Sequence, residues 1–192
     1  KWPVLQLGPG IASVNFTQPY SWDSFKTEAL YLRSKLLEAY SGKFQQLDVV
    51  TLRYLNAEPF DFAENDILEF LQSGLNTTLI LPKYVPGEFA SKAIPTSLSL
   101  RATFDLSLPK ATGALTVATG ARSLTPTLGV PENPTNVMIW QLEVASGGAD
   151  VPDIQNEHRF SGWLDQAHST VHEWFFSLIQ GKLYDKYSSK GG

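Results

Sequence analysis

Between Ser97 and Leu108 the chain alternates without a break. Leu98, Leu100, Ala102, Phe104, Leu106 and Leu108 are interleaved with Ser97, Ser99, Arg101, Thr103, Asp105 and Ser107. Successive side chains of a strand point to opposite faces, so a period of two this long describes a strand with one face on a core and the other in water. A parallel sheet is covered on both faces, so this pattern predicts an antiparallel one. Residues 136–145 repeat it with Met138, Trp140, Leu142 and Val144 on one face, and residues 47–56 place Val50, Leu52 and Tyr54 together. Pro109-Lys110-Ala111-Thr112-Gly113 reads as a hairpin loop into a strand over 114–120. At the start, Val4, Leu5 and Leu7 are separated from Ile11, Ala12 and Val14 by Gly8-Pro9-Gly10, a turn between two short strands.

Helical spacing appears three times. Trp22, Phe25, Ala29, Leu32, Leu36 and Tyr40 recur at intervals of three and four, with Ser21 or Asp23 as N-cap and Gly42 just past the end. A second helix is expected from Asp61, where Asp61-Phe62-Ala63-Glu64 has the form of a capping box, and Gly74 is expected to stop it. The carboxylates of Asp61, Glu64, Asp66 and Glu69 suit the positive end of that helix better than they suit a metal. The third stripe is the widest: Trp163, Leu164, Ala167, Val171, Trp174, Phe175 and Leu178, with Ser161 as N-cap. Such a helix needs a large surface to lie on, which the sheet provides. If Trp174 is core, Trp174→Ala should cost about 3–5 kcal/mol.

The fold class is therefore α+β: an antiparallel sheet of five or six strands, two helices on the N-terminal side, and a long C-terminal amphipathic helix across one face. The arrangement is analogous to a helix grip. At 192 residues, the chain is expected to form one domain (1–192) that needs no disulfide or metal for stability. The opening Lys1-Trp2-Pro3-Val4 looks like the interior of a folded unit, so a missing N-terminal segment is expected. The final Ser188-Ser189-Lys190-Gly191-Gly192 reads as a frayed end.

Composition excludes several function classes. Charged residues make up 18% and the net charge is −4, so no basic surface for nucleic acid is expected. The five tryptophans do not alternate with basic residues, as a stacking platform would require. No apolar run approaches the ~18 residues of a membrane span. There is no cysteine, which excludes thiol catalysis, Cys-ligated zinc and iron–sulfur clusters. No Gly-x-Ser-x-Gly elbow and no phosphate-binding loop is present.

Two groups of residues could carry chemistry. Asp165, His168 and His172 share a helix face and could hold a metal together, although the pattern is not His-Glu-x-x-His and supplies no base. His168 borders the apolar stripe, which suits a histidine bonded to a nearby backbone or carboxylate group better than a metal ligand. Arg53-Tyr54-Leu55-Asn56 puts a cation and an amide at the end of an apolar strand, where Arg53 either pairs with Asp48 or Glu58 or meets a ligand.

Leu5-Gln6-Leu7-Gly8-Pro9-Gly10 with Val14-Asn15, Tyr20-Ser21-Trp22, Arg53-Tyr54-Leu55-Asn56, and Trp163-Leu164-Asp165-Gln166-Ala167-His168 with Phe175 are motifs spread over nearly the whole chain. Together they resemble a sporadically distributed family of bacterial proteins of uncharacterised function, whose members carry a further N-terminal segment. The resemblance implies a bacterial, cytoplasmic protein and marks Arg53, Asn56, Asp165 and His168 as family features, with no activity attached to them.

Three functional expectations follow. The first is a non-catalytic interaction module, with a protein partner or a second copy of the chain as its target and no cofactor. Ser123–Asn136 and an exposed Val137 and Ile139 would form its contact surface. The second is a small-ligand pocket between sheet and last helix, lined by Trp140, Leu142, Trp163 and Phe175. The third is a metal-dependent enzyme using Asp165, His168 and His172.

Overall fold

The computed structural model describes residues 3–17, 21–40, 46–80, 95, 97–122 and 135–188. Two strands open the chain, β1 (Val4–Gly8) and β2 (Ile11–Asn15), and are followed by helix α1 (Trp22–Ala39) and strand β3 (Val49–Pro59). Helix α2 (Ile67–Gly74) leads on to strands β4 (Ser99–Ser107), β5 (Lys110–Arg122) and β6 (Thr135–Gly147). A single 3₁₀ turn over Gly148–Asp150 precedes helices α3 (Glu157–Leu178) and α4 (Gly181–Ser188).

The fold is α+β with two antiparallel sheets. The expected single sheet is divided: β1 and β2 form their own ribbon, while the main sheet has four strands in the order β3-β6-β5-β4. The ribbon turns at Pro9-Gly10, where Gly10 takes a φ of +73° that a side chain would resist. The β4–β5 connection is also tighter than expected, because β5 already begins at Lys110 and leaves only Leu108-Pro109 as the turn.

Register explains which residues are core. Leu52 pairs with Val144, Tyr54 with Leu142 and Asn56 with Trp140, and Leu115 and Val117 of β5 lie opposite Leu142 and Trp140. These residues share the inner face. The helices cover it: Trp163, Leu164, Ala167, Val171 and Leu178 of α3 and Ile67 and Leu71 of α2 join Leu52, Trp140, Leu142 and Val144 in one buried cluster. The Trp163 indole donates to Ser146 Oγ at 2.8 Å, and Ser146 donates to the Lys110 carbonyl at 2.8 Å, so these two polar groups are paired inside.

Several local expectations are corrected. Asp66, not Asp61, caps α2, its carboxylate accepting from Leu68 N, while Asp61 closes a turn through Ala63 N. Asn156, not Ser161, caps α3, so that helix gains a turn. Tyr40 is 53% exposed at the end of α1 rather than buried. The inward side chains of β4 are only partly covered because β4 is an edge strand; Phe104 is 47% exposed. Trp174 is half-buried, lying over Gly113 and edge-on to Phe104 at 5.3 Å, so it borders the core. Helix α4, whose Leu183 and Tyr187 pack against the core, has too short an apolar pattern to read from sequence. Gly42, the loop over 123–134 and residues 189–192 lie outside the described residues.

Candidate functional site

The motif Arg53-Tyr54-Leu55-Asn56 lies within β3, and the pleat splits it. Arg53 and Leu55 face outward; Tyr54 and Asn56 face the helices. Neither expected partner of Arg53 is the real one. Register sets Glu143 of β6 directly opposite, and the guanidinium bonds its carboxylate at 2.9 Å, whereas Glu58 has the opposite parity and points inward. Arg101 of β4, two strands away, reaches the same carboxylate at 3.4 Å, so Glu143 is shared by two cations. Both arginines are more than half exposed, which makes this pairing weak.

Asp165 and His168 meet α1. The Asp165 carboxylate accepts from Lys26 Nζ at 2.6 Å and from the Trp22 indole at 3.2 Å. Burial pulls this carboxyl upward, but the bonds from Lys26 and Trp22 and the nearness of His168 outweigh that and hold it below its ordinary value. The His168 ring stacks on Trp22, with centroids 3.9 Å apart and planes 6° from parallel, and its Nδ1 lies 2.8 Å from the Tyr54 hydroxyl. Burial lowers the His168 pKa, as does His172 beside it, and Asp165 only partly opposes them. A neutral ring accepting from Tyr54 at Nδ1 carries its proton on Nε2.

His172 is exposed; its ring lies 5.7 Å from that of His168 and 4.9 Å from that of Phe176. The helix thus brings the two histidines together, while Asp165 is engaged by α1. Among the described residues, no three His, Asp or Glu side chains are grouped so as to hold a metal ion. What Asp165 and His168 form is a clasp joining α1, α3 and β3. Trp22 supplies half of it; its helical spacing and its place in the Tyr20-Ser21-Trp22 motif gave no sign of that role.

A second tie between α1 and α3 was not foreseen at all. Arg33 is 7% exposed and donates Nε to the Ile154 carbonyl at 2.7 Å, Nη2 to the Gln155 carbonyl at 3.0 Å and Nη1 to Glu157 at 2.9 Å. The signal was present: Arg33 lies four residues past Ala29 and eleven past Trp22, so it occupies the apolar stripe itself.

Asn56 lies deeper. It pairs in register with Trp140, and cross-strand neighbours on one face have Cβ atoms about 4.5–5.5 Å apart. Among the described residues, two buried side-chain nitrogens lack a hydrogen-bond partner, Asn56 Nδ2 and Trp140 Nε1. An unpaired buried donor costs roughly 1–3 kcal/mol. Trp140 is fully buried, with Phe70 of α2 and Tyr187 of α4 each 6.2 Å from its ring. Glu58, two residues beyond Asn56 on the same face, accepts from Lys186 at 2.6 Å and from the Tyr187 hydroxyl at 3.0 Å. Burial first, and then Glu58, raise the Tyr187 pKa well above its ordinary value.

Three of the residues expected to line a pocket between sheet and last helix are packed into the core: Trp140, Leu142 and Trp163 are 0%, 0% and 5% exposed. An open groove of about 440 Å³ lies elsewhere, between the ribbon and α1, lined by Pro3, Phe16, Asp23, Ser24, Thr27 and Glu28. The surface expected for association is also altered, because Val137 is 1% exposed and Ile139 half-buried within a single chain. Among the described residues, no helix is long and apolar enough to cross a membrane. Comparison with protein-family models, curated proteins and solved structures finds no match.

Proposed function

We propose that the chain is a non-catalytic interaction module that docks onto a second copy of itself through the β1–β2 ribbon. The observation that carries this reading is the ribbon's uncovered apolar face. Leu5 and Leu7 stand on it at 39% and 69% exposure, beside the exposed Ala12 and the half-buried Val14 that pair with them. The other face holds Gln6, Ser13 and Asn15, joined by hydrogen bonds of 3.0–3.2 Å, together with Val4 and the exposed Ile11. A two-stranded ribbon is marginal in water unless something packs on it. Its base is anchored by Phe16 against Phe25 of α1 at 5.6 Å.

The occupant follows from charge. Residues 4–15 contain no Asp, Glu, Lys or Arg, so nothing on the ribbon repels its own copy or selects an oppositely charged partner. Two apolar faces meeting about a two-fold axis form an isologous contact, the commonest way for a chain to cover such a patch. The motif resemblance supports a bacterial, cytoplasmic setting for this module, and membership of that family is part of the same reading.

Light scattering at high micromolar concentration should give twice the chain mass. Leu5→Asp with Leu7→Asp should return it to one chain mass with an unchanged far-ultraviolet circular dichroism spectrum. A single-chain mass for the unmodified protein at that concentration would end the proposal.

A further inference from the structure

We propose that Asn56 and Trp140 are the donor pair of a small-molecule site beneath α4, built to take the neutral carbonyl oxygen of a compact, largely apolar molecule. This inference is independent of the ribbon. It starts from what the protein does elsewhere with similar groups. The indoles of Trp22 and Trp163 are bonded to Asp165 and Ser146, and the hydroxyls of Tyr54 and Tyr187 meet His168 and Glu58. Buried polar groups in a folded chain are normally satisfied. Two donors that are not, Asn56 Nδ2 and Trp140 Nε1, belong to directly opposed residues of neighbouring strands on the same face.

The surroundings define the ligand. Both donors are neutral, and the rings around Trp140 are those of Phe70 and Tyr187, so the body of the ligand meets aromatic faces. Glu58 shares the face two residues away, and its carboxylate disfavours an anionic ligand. A cationic ligand would bring further donors to donors. A ketone, ester or amide oxygen fits both constraints.

Access is through α4. None of its eight residues is fully buried. It is held by Lys186 and Tyr187 on Glu58, by Gln180 N donating to the Gly74 carbonyl at 2.9 Å, and by Leu183 against Gly74. Lys186 is 44% exposed and no residue of the helix is fully buried, so the helix is the part of the cover that opens at least cost.

The test uses isotope-labelled protein and follows the Trp140 indole N–H resonance. That resonance is assigned by its loss in Trp140→Phe or, if this variant does not fold, by replacing the other four of the five tryptophans in turn. The probe is benzamide, with benzoate and benzylamine as charged counterparts at matched concentrations. Benzamide should move the Trp140 resonance saturably and leave those of Trp22 and Trp163 in place, and Asn56→Leu should weaken binding about tenfold. Asn56→Leu removes an unpaired donor, so it is expected to fold. A Trp140 resonance that stays fixed up to the solubility limit of benzamide would overturn the inference. So would one that moves equally with the charged compounds, or benzamide binding unaffected by Asn56→Leu.

Discussion

Arg33 offers the sharpest test of how the helical layer is held. Its guanidinium crosses from α1 to the segment entering α3, and its three acceptors differ in how they fare when it is removed. The Ile154 carbonyl belongs to a residue 3% exposed, and Arg33→Ala leaves it facing an interior that water reaches poorly, at about 1–3 kcal/mol. Gln155 is exposed, so its carbonyl turns to solvent at little cost. Glu157 is 69% exposed and loses only a surface-type ion pair, about 0.2–1 kcal/mol. The buried methylene stem adds about 1–2 kcal/mol of lost packing. Against these stands the relief of no longer burying a cation.

The balance for Arg33→Ala is a loss of roughly 3 kcal/mol. For a chain of this size each kcal/mol lowers the melting temperature by about 2–4 °C, so a fall of roughly 6–12 °C is expected. Glu157→Gln should lower it by no more than about 2–4 °C. Arg33→Lys keeps the charge but cannot present three donors in a fixed fork, so it should recover less than half of the loss. Thermal unfolding followed by near-ultraviolet circular dichroism, with urea titration as a second measure, reads all three. If Glu157→Gln costs as much as Arg33→Ala, the ion pair carries the tie and the reasoning from buried carbonyls is wrong.

Two further outcomes follow from the same packing. The unfolded chain binds a proton at His168 more readily than the folded one, because the folded value is depressed. The clasp's contribution is therefore full above the ordinary histidine value of about 6.5 and declines as pH falls through it toward the folded value. Melting temperature should drop over that interval, and by less in His168→Gln; equal slopes would remove His168 as the cause. Trp174→Ala should cost about 1–2 kcal/mol, below the 3–5 kcal/mol expected of a core aromatic, because Trp174 is half-buried at the sheet edge. A larger loss in urea titration would return that residue to the core.

The sheet was legible because it obeys one local rule. The alternation along β4 and β6 needs no knowledge of the rest of the chain, and β6 runs almost as its pattern indicates. What the pattern does not contain is strand order. From alternation alone β4 looks as central as β6, yet β4 forms an edge and β6 is flanked by β3 and β5, which is why Phe104 is half open and Trp140 is closed. Capping was misplaced for a related reason. Asp61 and Ser161 each stand before an apolar stripe, but the helix begins where a side chain can accept from the first free N–H groups, at Asp66 and Asn156.

The candidate residues show how a motif read as a unit dissolves in three dimensions. Arg53 and Asn56 are three positions apart on a strand, so odd parity alone sends them to opposite faces. Arg53 then finds a cross-strand carboxylate in half-exposed surroundings, where its partner is of small consequence. Asn56 is set opposite Trp140, and its amide nitrogen, like the indole nitrogen, is a buried donor without a partner. Asp165 and His168, three apart on a helix, stay on one side, and that side meets α1, so a grouping that suggested a metal is occupied by Trp22, Lys26 and Tyr54. The residues that most invited a catalytic reading are therefore those with the fullest set of partners. Among the described residues, the buried donors without a partner lie at Asn56 and Trp140, which no spacing rule would have joined, because only strand register places them side by side.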